Sequence, residues 1–308
     1  MYKAFFNLQI NPFAGSPDPR FLYMMPHTRE ALAGLEYGIS ERKGFTVLTG
    51  EVGTGKTTLL RCALGALGQR RVHTSFVFNP LLDPLDFLEF VLTDFGLTPN
   101  SRTKSGMLLQ LNRWLIERFR SQETCVVVVD EAQNLSWELL EEIRLLTNLE
   151  SSSEKLLQIV LSGQPELEEK LRHPSVRQLR QRIFLWCRTQ PLTAEQTGEY
   201  IAERLRIAGT TNTIFSPEAV QLIFTYSRGI PRTINLICEH SLILGYVEQI
   251  PVIPASLIAH VAADLELDLQ SFLMAPSQAG EGFHNPLRPM ETGKFINSFN
   301  REPGGRER

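Results

Sequence analysis

The sequence predicts an α/β fold, a parallel five-stranded sheet followed by a small all-helical domain, and three observations predict it. Short apolar runs rich in β-branched and aromatic residues recur up to residue 190. Segments with apolar residues at helical spacing lie between most of them. After Pro191 the runs stop and helix signals continue alone, a composition shift that marks a domain boundary.

The strands are expected at Phe45 to Thr49, Thr74 to Phe78, Cys125 to Val129, Leu156 to Leu161 and Ile183 to Cys187. Their near-continuous apolarity, without strict alternation, suits a parallel sheet covered on both faces. Helices are expected at Arg29 to Ser40, Thr57 to Leu67, Pro84 to Phe95, Lys104 to Phe119 and Trp137 to Asn148. Beyond the boundary, Thr193 and Gln196 form a capping box, and Ser216-Pro217-Glu218 sets an N-cap before a Pro at the first helical position. Arg228-Gly229 ends that helix, Pro231 opens one running to about Tyr246, and Pro254 to Leu265 forms another. The expected division is 1–190 for the sheet domain, 191–270 for the helical domain and 271–308 for a tail whose Pro, Gly and charge content predicts disorder.

With 308 residues, 43% apolar and 21% charged, the chain is expected to be folded and globular. A net charge of −3 argues against a surface cationic enough to bind nucleic acid through bulk charge alone. Cys62, Cys125, Cys187 and Cys238 are far apart, with no C-x-x-C pair and no His at metal spacing, and read as reduced thiols. The N-terminus lacks the pattern of a signal peptide, and no apolar stretch approaches the ~20 residues that span a bilayer. A cytoplasmic protein without direct membrane insertion is expected, reaching the inner face of a membrane only through a partner.

The strongest chemical signal is Gly50-Glu51-Val52-Gly53-Thr54-Gly55-Lys56-Thr57, which fits G-x-x-x-x-G-K-[ST] and sits between the first strand and an amphipathic helix continuing through Thr58. Glycines let the backbone curl with its N–H groups around a phosphate, at the positive end of the following helix. Lys56 then reaches the β- and γ-phosphates of ATP, and the Thr57 hydroxyl holds Mg²⁺. Four valines ending in Asp130-Glu131 supply a second acidic site at the C-terminal end of a strand. Asp130 is expected to orient Mg²⁺ or its waters, and Glu131 to polarise the attacking water.

Taken together, these residues resemble the AAA+ class of P-loop NTPases. NPF at Asn11 to Phe13, PDPRFLY, TGEVGTGKTT, VVVVDEAQNL, LQIVLSGQPEL and GIPRTINLIC narrow the resemblance to the ATPase domain of the general secretion pathway protein A, or ExeA-like, family, over roughly residues 1 to 265. The resemblance implies ATPase activity, with a polar sensor at Gln164 (Ser162 being the alternative). It places an arginine finger at Arg182, with Arg177 and Arg180 as competitors. It implies a second sensor at Arg232, on the helical domain acting as a lid over the nucleotide. The NPF and PDPRFLY segments are expected beside the adenine. A finger acting in trans implies a homo-oligomer, a ring or helical array, that gates hydrolysis.

Fuller members of that family continue into a membrane helix and a periplasmic domain, whereas here only a polar tail is expected after the helical domain. The function expected is an assembly-dependent ATPase serving a protein partner in a secretion or cell-envelope export system. A second reading is an ATP-switched DNA-binding adaptor resembling the helper ATPases of transposition. Its basic candidates are Arg70-Arg71 with His73, and Arg102 with Lys104, which read equally as solvated faces.

Overall fold

The computed structural model describes residues 1–68, 71–78, 80–151 and 154–267. The expected tail, 271–308, and Arg70 lie outside the described residues.

Five strands, β1 (Phe45–Thr49), β2 (Val72–Val77), β3 (Thr124–Val129), β4 (Leu157–Gly163) and β5 (Ile183–Arg188), form one parallel sheet in the order β2-β3-β4-β1-β5. The register runs straight across the centre, with Val127 opposite Ile159 and Ile159 opposite Phe45. Successive side chains leave opposite faces, so a continuous apolar run feeds two cores at once. Val127, Val129, Ile159 and Leu161 join one buried cluster, while Val126, Val128 and Val160 join the other.

The first core is covered by α4 (Pro84–Asp94), α5 (Lys104–Arg120), α6 (Trp137–Leu146) and α7 (Pro165–Arg172). Local sequence starts each of these. Asp83 accepts from the N–H groups of Leu85 and Asp86, Thr103 from Gly106 and Ser136 from Leu139, satisfying donors that a helix start leaves open. The second core lies under α2 (Pro26–Ser40) and α3 (Lys56–Leu67). A four-residue helix, α8 (Arg177–Arg180), leads into β5.

Beyond β5, α9 (Ala194–Ile207), α10 (Pro217–Ser227), α11 (Pro231–Val247) and α12 (Ala255–Asp264) build a helical layer. The expected capping box is present, with the Thr193 side chain accepting from Gln196 N–H and the Gln196 side chain from Thr193 N–H. The amino-terminal residues, including α1 (Tyr2–Phe5), join this layer: Phe6, Leu8 and Phe13 are buried in its core, and Gln9 N–H donates to Ala208 O at 2.8 Å. Buried Arg204 donates to Pro12 O, and its guanidinium lies 4.4 Å from the Phe21 ring centre. Contacts gather Met1–Asp268 into one compact unit.

The turn before α11 needs its glycine. Gly229 has φ +72, and an added Cβ would stand 1.9 Å from Leu192 O, while Leu192 N–H donates to Gly229 O at 2.8 Å. Gly229→Ala therefore combines an unfavourable φ with a backbone clash, and it is expected to lower unfolding free energy by roughly 2–4 kcal/mol in urea titration. An unchanged midpoint would contradict this account of the junction.

Candidate functional site

Because the sheet is parallel, the C-terminal ends of β1, β3 and β4 open on one edge, where open α/β sheets bind their ligands. With β4 lying between β3 and β1, that edge presents Gly50, then Gln164, then Asp130-Glu131. A cavity of about 680 Å³ lies there, between the loop after β1 and the start of α11. Residues 52–58 line it, together with Glu131 and Arg232.

The loop takes the shape that its glycines allow. Gly53 and Gly55 have φ +82 and +96, and Gly55 is the residue before the first turn of α3. At Gly50 a Cβ would stand 2.0 Å from Thr189 Oγ1, so the loop and the end of β5 approach at backbone distance. Thr54 Oγ1 ties the two together, lying 2.7 Å from Glu51 O and 2.6 Å from Thr189 Oγ1.

Lys56 is buried, and its Nζ donates to Gly50 O at 2.7 Å and Glu51 O at 3.0 Å. Burial lowers its pKa, against the opposing charges of Glu131, Asp130 and Glu51. Among the described residues no carboxylate pairs with it directly, so the loop holds a buried cation bonded only to carbonyls.

Thr57 Oγ1 donates to Asp130 Oδ2 at 3.2 Å. Asp130 Oδ1 accepts from Ser162 Oγ at 2.8 Å and from Glu131 N–H at 3.1 Å. A hydroxyl and a carboxylate are hard oxygen donors, and no cluster of three or more His, Cys, Asp or Glu suited to a metal occurs among the described residues. This donor set fits Mg²⁺ held by two protein oxygens, phosphates and water, with Thr57 and Asp130 as the residues that would hold it.

Glu131 takes a left-handed conformation, φ +51. Its Oε2 accepts from Gln133 Nε2 at 2.7 Å and from Gln164 Nε2 at 3.2 Å. Burial works to raise its pKa, but the two amides and the Lys56 charge outweigh it, and the carboxyl is held below the usual glutamate range.

Arg232 sits on the first turn of α11. Its N–H donates to Gly53 O at 3.1 Å, and a Cβ on Gly53 would come within 2.7 Å of Arg232 Cβ, so the helical layer rests on the phosphate loop. Its guanidinium is exposed, with no hydrogen-bond or ion-pair partner among the described residues.

The structure thus brings together the expected loop residues Gly50 to Thr58, Asp130, Glu131, Gln164 and Arg232. Gly50, Glu51, Asp130 and Gln164 are not among the residues that line the cavity itself. Ser162 is turned to Asp130 and fully buried. Arg182 lies elsewhere: its Nη1 donates to Thr147 Oγ1, to Asn148 Oδ1 and to Arg144 O at the C-terminal end of α6. Arg177 and Arg180 are exposed. From NPF and PDPRFLY, Phe13, Pro17, Phe21 and Tyr23 line the same cavity.

Two residues were not singled out from sequence. Gln133 lies inside DEAQNL, but its neutral amide carries no signal of its own. Lys170, on α7, donates to Gln133 O at 3.0 Å and to Leu135 O, and so holds the turn that carries both acids.

Residues 39–171 match the AAA domain family. The chain is 44% identical over 247 residues to general secretion pathway protein A of Aeromonas hydrophila, a stretch covering 80% of this chain and 45% of that protein. The chain thus spans under half the length of that relative. Among solved structures, Cdc6p from Pyrobaculum aerophilum aligns over 80% of this chain and 69% of its own, at TM-score 0.63 and 19% identity. The Aeropyrum pernix ORC1 protein in complex with DNA covers 83% and 69%, at 0.62 and 17%. The Thermotoga maritima RuvB Holliday junction branch migration motor covers 84% and 75%, at 0.57 and 17%. At these identities the structures share the fold.

Asp130→Asn is expected to bind ATP without metal as the unaltered protein does, yet to lose most of the tightening that Mg²⁺ produces. Calorimetric titration with and without Mg²⁺ measures this, and an undiminished Mg²⁺ effect would remove Asp130 from the metal site.

Proposed function

The core of the sheet half belongs to the AAA domain family, and from that premise we propose that the chain binds ATP with Mg²⁺ and hydrolyses it to ADP and phosphate. The observation that carries this reading is the pairing of Thr57 with Asp130 beside a Glu131 whose Oε2 is occupied by two amides and whose Oε1 has no partner among the described residues. A carboxylate fixed on one side and free on the other is suited to orient a water and take its proton.

When bound, Mg²⁺ neutralises phosphate charge and aligns the phosphates. Lys56 binds them from the loop floor, and the backbone N–H groups of the loop add donors. Glu131 draws the proton from the attacking water. Arg232 reaches toward the γ-phosphate from α11, so the helical layer from residue 191 onward works as a lid registering whether that group is present. Gln164 positions Glu131.

The arginine acting in trans is placed in the 177–182 segment, with Arg182 as first choice and Arg177 and Arg180 as alternatives. In its own chain Arg182 caps the carbonyl end of α6, so entering a neighbour's site requires it to leave Thr147 and Asn148. The assembly is a homo-oligomer, and the resemblance to general secretion pathway protein A supports a protein partner in a secretion or envelope export system.

The DNA-adaptor reading is disfavoured by the basic candidates. Arg71 and His73 lie beside Glu123 at the opposite end of the sheet from the cavity, and Lys104 pairs with buried Glu142. ATPase rates with and without duplex DNA over a salt series separate the readings: stimulation at low salt that fades with added salt would favour the adaptor.

Glu131→Gln is expected to retain ATP affinity and lose turnover by ~10²-fold or more, the ordinary share of a general base. Unchanged turnover would sink the water-activating role. Arg182→Ala is expected to bind ATP yet turn over ~10³-fold more slowly, with partial recovery on mixing with Asp130→Asn subunits. Thermal unfolding of Arg182→Ala separates the lost α6 cap from a lost finger, and no recovery in mixtures counts against action in trans.

A further inference from the structure

We infer that Gln133 is a positioning residue for the hydrolytic step, holding Glu131 through one carboxylate oxygen so that the other is presented to water. The inference rests on the reading of Glu131 as the water-activating group.

The network fixes which way the Gln133 amide points. Its Oε1 accepts from the backbone N–H of Gln164 at 3.1 Å, and an N–H can only donate, so the atom facing it must be oxygen. Nε2 then faces Glu131, and it donates to Oε2 at 2.7 Å. The amide therefore bridges two separate pieces of chain, the acid after β3 and the N-cap of α7 after β4.

Room for that bridge is built into β4. A Cβ on Gly163 would stand 2.8 Å from Gln133 Oε1 and 2.9 Å from Leu167 Cδ2, so any larger residue ending this strand would crowd the amide. Lys170 fixes the other side of the turn through Gln133 O and Leu135 O, with its ammonium 5.2 Å from the Trp137 ring centre. Side chain and backbone of Gln133 are thus both held by α7 or its cap.

A holding device is needed here because Glu131 is strained. A non-glycine residue at φ +51 lies in a region disfavoured by contact between Cβ and the backbone. Left alone, the carboxylate would be free to rotate as its backbone relaxed. Two amide donors on one oxygen restrict the side chain to a single setting. Gln164 is the second donor, at 3.2 Å. Gln133 makes the shorter bond, and it also orients Gln164 by accepting from its N–H.

The test compares kcat, KM and ATP affinity for the full chain and for Gln133→Met, which keeps length and removes the donor. Expected are an unchanged KM and ATP affinity and a kcat lower by about 10-fold or more. The split between kcat and KM is the readout, because a misplaced Glu131 slows the hydrolytic step and leaves nucleotide binding as it was. Glu131→Gln is measured in parallel. If it abolishes turnover while Gln133→Met leaves kcat in place, the positioning role is overturned and the base reading survives. A lowered kcat accompanied by an equal loss of ATP affinity makes Gln133 merely structural and overturns the inference as well. Full turnover by Glu131→Gln overturns both. Should Gln133→Met fail to fold, Gln133→Asn, which draws the amide back by one methylene, carries the same expectations.

Discussion

The buried ammonium of Lys56 is the constraint around which the site is arranged. Taking a charge out of water without an opposite charge in contact is costly, and the loop compensates by turning the carbonyls of Gly50 and Glu51 onto it. That same turn carries the left-handed glycines Gly53 and Gly55, and Thr54 N–H between them donates to Glu51 O at 3.3 Å. Two carbonyls of the loop are thereby spent on the lysine. The acids answer the same charge at longer range: Asp130 and Glu131 raise the Lys56 pKa, while burial lowers it more strongly. On the proposed reading, phosphate would supply the close negative partner that the protein withholds.

A second dependence follows from the sheet. Strand order places β4 between β1 and β3, so the phosphate loop and the acids are not on neighbouring strands. The gap is bridged by β4 itself, through Ser162 to Asp130 and through Gln164 to Glu131. Slippage of β4 by one residue would exchange its two faces and withdraw both contacts. The buried valines and isoleucines of the core are thus what hold the acids in register with the loop, and the chemistry rests on packing several residues away.

Much of this was legible in sequence, and the limits are physical. Strand β1 and the starts of α4, α5, α6, α10 and α11 sit where apolar runs, caps and prolines placed them, because those signals are local. The eight-residue α7 was not foreseen, since PELEEKLR follows the strand at once and is too short to establish a helical period. The loop residues and Asp130-Glu131 stood out by spacing and charge. Gln133 did not: hydrogen bonds across two chain segments have no periodicity, and a neutral amide looks the same on a surface as in a site. The attachment of Phe6, Leu8 and Phe13 to the helical layer was equally hidden, because it depends on contacts some 200 residues away in sequence.

That attachment bears on how the lid is governed. The amino-terminal segment reaches α11 through Tyr2 and Asn11, which both donate to Glu239, and reaches α3 through Pro17 O, which accepts from Arg61. It therefore links the lid to the helix that follows the phosphate loop. At the other end of the cleft, Arg232 N–H is bonded to Gly53 O, and the Gly229 turn is locked against Leu192. Both links are protein contacts that need no nucleotide. With the first turn of α11 bonded to the phosphate loop, a rigid-body swing of the lid must break the Arg232 N–H bond to Gly53 O, whereas rotation of the Arg232 side chain breaks none that the described residues make. The smaller motion is the one a γ-phosphate can bias with a single charge-assisted contact. On the proposed reading, the nucleotide state would reach the lid first through one arginine side chain.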